Sequence, residues 1–243
     1  MNLVIDIGNT RTKFSLFNHG EMMISVPVNE FLPEHIELLK SEHPSLNRAI
    51  LSSVKKYPQE LKEKLTKSFE QFVELDVNTP LPIQNCYESA ETLGKDRIAA
   101  AVGAFDLYPD SNVLIIDAGT AITYDIVNDK NQYIGGNISP GLSMRFKALH
   151  EYTDGLPLVH QEDFSKLFGK TTRQAILAGV QHGLIFETEK TIKTFKEFYN
   201  NLKVIITGGD VKFFDKKLKS SFFVHFNLIA TGLNRILQHN GEI

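Results

Sequence analysis

Asp6-Ile7-Gly8-Asn9-Thr10-Arg11-Thr12-Lys13, near the start of the chain, and Asp117-Ala118-Gly119-Thr120-Ala121-Ile122-Thr123-Tyr124-Asp125, near its middle, decide the reading. Each follows an apolar run, Leu3-Val4-Ile5 in the first case and Val113-Leu114-Ile115-Ile116 in the second. Each sets a carboxylate, a glycine and a threonine on a turn between strands. An aspartate ending a buried strand can hold a cation, and a Gly-Thr turn offers backbone N–H groups and a hydroxyl to phosphate oxygens. Asp-Gly and Gly-Asn also occur in ordinary hairpin turns, so one copy alone says little. Two copies point to a pair of similar half-domains closing on a nucleotide.

Outward from these turns the pattern repeats. Residues 2–6, 11–17 and 22–27 read as strands, with helical patterns at 33–43 and 58–70 and apolar strands at Ala49–Val54 and Phe72–Leu75. A helix is predicted over Asp96–Leu107. The second half replays the opening: strands at 112–117, 121–127 and 131–138, helices at 140–150 and 170–199, the strand Lys203–Thr207 and a last helix at 228–239. The order β-β-β-α-β-α, twice over, implies two α/β lobes with mixed sheets, 1–110 and 111–243.

Composition narrows the class. The chain has 243 residues, a formal net charge of −3 and no basic run, which argues against a nucleic-acid partner. Cys86 is the only cysteine, so an internal disulfide and a multi-cysteine metal site are excluded. The opening lacks a basic region before its short apolar run, and no stretch reaches the roughly 18–20 apolar residues that span a bilayer. A soluble, cytoplasmic protein without a membrane partner is expected.

Three further stretches carry chemistry. In Tyr87-Glu88-Ser89-Ala90-Glu91-Thr92-Leu93-Gly94-Lys95-Asp96-Arg97, Asp96 stands at or near a helix start. It can cap that helix, or take a hydroxyl proton from an acceptor while Arg97 grips an anionic group. Gly135-Gly136-Asn137-Ile138-Ser139-Pro140-Gly141 reads as a ligand-lining turn or a plain strand-to-helix connection. Thr207-Gly208-Gly209-Asp210 ends an apolar strand with room for a flat base beside the backbone, although a simple strand-ending turn is the default. The histidines show no metal-binding spacing. Phe195, Phe198, Phe222 and Phe223 read as core, and Glu187 and Glu189 as a solvated helix face.

On these residues the chain resembles the type III pantothenate kinases of the acetate and sugar kinase and actin superfamily. The resemblance rests on Asp-Ile-Gly-Asn-Thr, Leu-Gly-Lys-Asp-Arg, Asp-Ala-Gly-Thr-Ala-Ile-Thr-Tyr-Asp and Gly-Gly-Asn-Ile-Ser-Pro-Gly, in the family's order. It implies two similar actin-like, ribonuclease H-like α/β lobes with a nucleotide cleft between them. It also implies ATP-dependent phosphorylation of pantothenate, the first step toward coenzyme A. Carried over by position, Asp6, Ile7, Gly8, Asn9, Thr10, Arg11, Thr12 and Lys13 form the ATP phosphate loop, with Thr120 a second nucleotide contact. Asp96 matches the proton acceptor, and Tyr87, Gly94, Lys95, Asp96 and Arg97 match the pantothenate contacts. Thr172, with Thr171 as the neighbouring alternative, matches a substrate contact given by the partner subunit of a homodimer. Asp117 matches the ligand of K+ or NH4+, beside a divalent cation such as Mg2+ on the ATP.

Rival readings are a sugar or acetate kinase, a phosphohydrolase and a non-catalytic binding module. The single cysteine counts against the zinc-bearing sugar kinases. The presence of Asp6, Asp96 and Asp117 counts against a module that only binds.

Overall fold

The computed structural model describes residues 1–242. Its strands are β1 (Asn2–Ile7), β2 (Thr12–Asn18), β3 (Glu21–Val28), β4 (Arg48–Ser53), β5 (Gln71–Glu74), β6 (Gln84–Asn85), β7 (Val113–Ala118), β8 (Ala121–Val127), β9 (Gln132–Pro140), β10 (Lys203–Thr207) and β11 (Phe223–Val224). The helices are α1 (Pro33–Glu42), α2 (Gln59–Ser68), α3 (Lys95–Leu107), α4 (Leu142–Glu151), α5 (Thr172–Phe198), α6 (Val211–Phe214) and α7 (Leu228–Glu242).

The described chain forms two compact units: Met1–Asp110 with Val127–Gly135 and Asn227–Ile243, and Ser111–Ile126 with Gly136–Phe226. In the first unit the sheet order is β3-β2-β1-β4-β5. β1 pairs antiparallel with β2 and parallel with β4, so the hairpin and the crossover meet on one central strand. Leu3, Ile5 and Ile7 of β1 join Ala49 and Leu51 of β4 in a core closed by Ile36 and Leu39 of α1 and Leu61 and Leu65 of α2. The opposite face carries Val4 and Asp6, because side chains alternate along a strand.

The second unit repeats the scheme with the order β11-β10-β7-β8-β9, in which β7 takes the place of β1 and β10 that of β4. Its core joins Leu114, Ile116, Ile122 and Tyr124 to Leu177, Val180 and Leu184 of α5. The architecture is the actin-like, two-lobed α/β fold that the repeated pattern implies.

The two units differ from a single cut at residue 110. α7 belongs with the first unit, where Gly232 lets it press on α3: a Cβ there would fall 1.8 Å from the Ala99 carbonyl oxygen. Leu228, Leu233, Ile236 and Leu237 of α7 are fully buried, and that apolar stripe is what an amphipathic helix must cover. The start of β9 also belongs there, through its parallel pairing with β6. The assignment of paired phenylalanines to the core holds for Phe195 and Phe222 but fails for Phe198 and Phe223, which are exposed.

Candidate active site

In the first unit, Asp6 ends the polar row of β1 and pairs in register with Lys13 of β2 and Ser52 of β4. All three therefore share one face of the sheet. Ile7 and Thr12 are buried at the ends of their strands, while Asn9, Thr10 and Arg11 are exposed in the connecting turn, which Gly8 closes with an N–H to the Arg11 carbonyl at 3.0 Å. Burial pushes the Asp6 carboxyl up from 3.8 to about 6, the negative charge of Asp96 adds to the rise and Lys13 partly offsets it. The structure thus brings Asp6 and Asp96 into electrostatic contact from distant parts of the sequence.

Asp96 gets there from the first turn of α3. The cap residue of that helix is Gly94, so Asp96 is not the cap; it is the second residue of the helix, and its Oδ1 accepts a hydrogen bond from the Arg97 N–H at 2.9 Å. A Cβ on Gly94 would lie 2.5 Å from that same oxygen, so the glycine leaves the carboxylate room. A carboxylate at a helix start also gains from the positive end of the helix dipole. Lys95, half-buried, precedes it, and Arg97 follows with its side chain buried and its guanidinium 5.5 Å from the Tyr87 ring centroid. Tyr87 in turn packs 6.0 Å from Tyr133 and against Gly135. Tyr87, Gly94, Asp96 and Arg97 therefore form one local arrangement, although Tyr87 lies outside the helix.

In the second unit, Asp117 is the penultimate residue of β7, and Thr120 is exposed in the two-residue turn to β8. Backbone crowds this turn. Gly208 has a φ of 97°, and a Cβ on it would fall 2.5 Å from Asp117 Oδ1 and 2.4 Å from the Ala118 carbonyl oxygen. The Asp210 N–H donates to that carbonyl at 2.9 Å. Only a glycine tolerates both the left-handed backbone and the contact. Thr171 caps α5 by accepting from the Gln174 N–H at 3.3 Å, which leaves Thr172 exposed at the first helical position.

Several groups escape sequence reasoning. Ser52 is fully buried, and its hydroxyl has no hydrogen-bond partner among the described residues. Its only sequence signal is a serine ending the apolar run Ala49-Ile50-Leu51. Asp125 is buried and accepts from the Thr123 hydroxyl at 2.9 Å. Glu187 and Glu189, read as a solvated face, are engaged: Glu187 binds Arg145 and Tyr124, and Glu189 binds Ser220 and the Lys219 N–H. None of these four partners is close in sequence, which is why helical charge patterning, which shows only Lys193 one turn beyond Glu189, misassigned them. Among the described residues, no group of three or more His, Cys, Asp or Glu side chains could hold a metal by itself, and no helix is long and apolar enough to cross a membrane.

A family profile described as type III pantothenate kinase matches residues 2–194. A type III pantothenate kinase of Bacteroides fragilis is 45% identical over 99% of this chain and 98% of its own length. One from Christiangramia forsetii is 43% identical over 99% of both chains. Among solved structures, a glucokinase from an Antarctic psychrotroph superposes with a TM-score of 0.56 at 13% identity over 98% of both chains, a likeness of fold alone. With the profile spanning most of the chain and relatives matching end to end, the chain belongs to the type III pantothenate kinase family.

Proposed function

We propose that this chain transfers the γ-phosphoryl group of ATP to pantothenate, giving 4'-phosphopantothenate and ADP in the first step of coenzyme A biosynthesis. The observation that carries the reading is the start of α3, where the charge of Asp96 acts on Asp6 while the next residue, Arg97, packs on Tyr87. Family membership supports the same reaction.

Pantothenate has a carboxylate at one end and a primary hydroxyl at the other. Arg97 offers a planar fork of donors suited to a carboxylate, and Tyr87 gives the acceptor an apolar wall beside it. Asp96 accepts the proton of the hydroxyl as its oxygen attacks the γ-phosphorus in line. The new O–P bond forms, the bond to the β,γ-bridging oxygen breaks, and that oxygen leaves on ADP. Phosphoryl transfer asks mainly for positioning and charge neutralisation, so one carboxylate is enough acid–base chemistry.

Asp6 to Lys13 and Thr120 contact the phosphates. A divalent cation such as Mg2+ fits at Asp6, because Mg2+ binds through one or two carboxylates together with substrate phosphates and water, and needs no closed protein cage. It would neutralise phosphate charge there. K+ or NH4+ fits at Asp117, where the carboxylate and the Ala118 carbonyl both crowd the Gly208 backbone and provide hard oxygen donors. The working form is a homodimer in which Thr172 touches the partner's substrate. Leu167 and Phe168, just before α5, are 70% and 68% exposed, which supports a covered face near Thr172. The enzyme works in the cytoplasm.

A coupled ADP-release assay with ATP, Mg2+ and K+, run with and without pantothenate, tests the reading. ADP release that requires pantothenate and drops when Na+ replaces K+ supports it. Release without any acceptor points to a phosphohydrolase, and no release in either arm points to a binding module.

A further inference from the structure

Arg145 on α4 makes three contacts, none of them with neighbours along its own exposed face. Its Nε donates to the Pro140 carbonyl at 2.8 Å, and its Nη2 donates to the Ser139 hydroxyl at 2.9 Å and to Glu187 Oε2 at 2.5 Å. The other oxygen of Glu187 accepts from the Tyr124 hydroxyl at 3.2 Å, and that hydroxyl also meets Thr188 Oγ1 at 3.0 Å. Tyr124 stands on β8, four residues beyond Thr120. From the other side the Gly141 N–H donates to the Thr120 carbonyl at 3.2 Å. Gly141 lies so close that a Cβ would fall 2.3 Å from the Gly119 carbonyl and 2.4 Å from that of Thr120.

These contacts close a ring: Thr120 to Gly141 and Pro140, then to Arg145, Glu187 and Tyr124, and back along β8 to Thr120. Covalent bonds and hydrogen bonds, one of them the Arg145–Glu187 ion pair, make up the ring, and Arg145 is its hub. An ordinary surface ion pair adds little stability and tolerates a lysine. This one differs, because the side chains are only 20% and 31% exposed and one guanidinium must serve a carbonyl, a hydroxyl and a carboxylate at fixed angles. A lysine ammonium on a flexible stem cannot hold all three.

We propose that Arg145 is a positioning residue for the nucleotide, acting through Gly141 to fix the Gly119–Thr120 turn without touching ATP itself. Glu187 holds the guanidinium in place, and the Ser139-Pro140-Gly141 segment carries its grip to the turn. The inference rests on the reading of Thr120 as a nucleotide contact.

The test is steady-state kinetics on purified full-length variants, with circular dichroism to confirm folding. Arg145→Met is expected to raise the KM for ATP about tenfold while the KM for pantothenate and kcat stay within about twofold, since a small misplacement of a binding group falls on the ligand it serves. Arg145→Lys is expected to stay impaired, and Glu187→Gln to raise the ATP KM about threefold, because the amide keeps part of the hydrogen bonding. Thr120→Val tests the underlying reading separately. If it raises the ATP KM while both Arg145 variants and Glu187→Gln behave as wild type, the positioning role is wrong and the reading of Thr120 survives. If Thr120→Val leaves the ATP KM unchanged, both fall. A proportional loss for both substrates in folded Arg145→Met, or full rescue by Arg145→Lys, also overturns the role; should Arg145→Met fail to fold, Glu187→Gln decides.

Discussion

After β1 the chain uses four residues, Gly8 to Arg11, before β2 begins; after β7 it uses two, Gly119 and Thr120, before β8. The first turn exposes Asn9, Thr10 and Arg11, and a Cβ on Gly8 would meet only the Arg11 carbonyl, at 3.0 Å. The second turn lies against Gly141, and Gly208 closes on the end of β7, each with backbone inside the distance a side chain needs. Their carboxylates differ as well. Asp6 feels the charge of Asp96, whereas the Asp117 carboxylate crowds the Gly208 backbone. One motif used twice has thus become two devices. The first sets two carboxylates where each feels the other's charge, and the second is a turn braced by close backbone contacts.

The sharpest way to break this division is Asp96→Asn. Losing the base should lower kcat by about 10²–10⁴-fold with a folded protein and a nearly unchanged KM for ATP. A folded Asp96→Asn enzyme with near-normal turnover ends the proton-transfer reading. The contrast in tightness comes next: Gly208→Ala should cost about 3 kcal/mol in denaturant unfolding and Gly8→Ala only about 1, because strain and clash coincide at the former. Equal losses would mean that the two turns are equally braced.

Asp6 offers a pH test of similar size. Its carboxyl is raised from 3.8 to about 6, so the folded state holds the proton more tightly than the unfolded state does. That stabilising contribution is complete below about pH 4 and is lost as the pH rises through about 6. Asp6→Asn keeps a neutral group at every pH, so without nucleotide or metal its stability should gain on wild type by roughly 2–3 kcal/mol between pH 4 and pH 8. Parallel pH profiles for the two proteins would show that Asp6 is not perturbed. The smallest effect should be that of Asp117→Asn, a loss of about tenfold in activity with K+ and no remaining difference between K+ and Na+.

Much of this was legible because it is written locally. The strands around Asp6 and Asp117, the helix at Asp96 and the long helix after Thr171 all follow from alternation, helical period and glycine turns. What escaped was either too short to carry a period or assembled from afar. β6, β11 and α6 have two, two and four residues, below the length at which a pattern shows. Glu187 looked solvated because its partners, Arg145 and Tyr124, lie 42 and 63 residues away. Ser52 passed as part of the strand Ala49–Val54, and only the register of β1 against β4 sets it beside Asp6.

By itself the sequence determined the repeated α/β scheme and the residue types of both turns, since each depends on neighbours within a few positions. It also determined the family, through motifs in one order along nearly the whole chain. Tertiary structure alone decided that α7 returns to the first unit, that the charge of Asp96 acts on Asp6, and that Arg145 meets Glu187. Those outcomes depend on which distant surfaces meet, and burial, charge proximity and hydrogen-bond geometry act through space rather than along the chain.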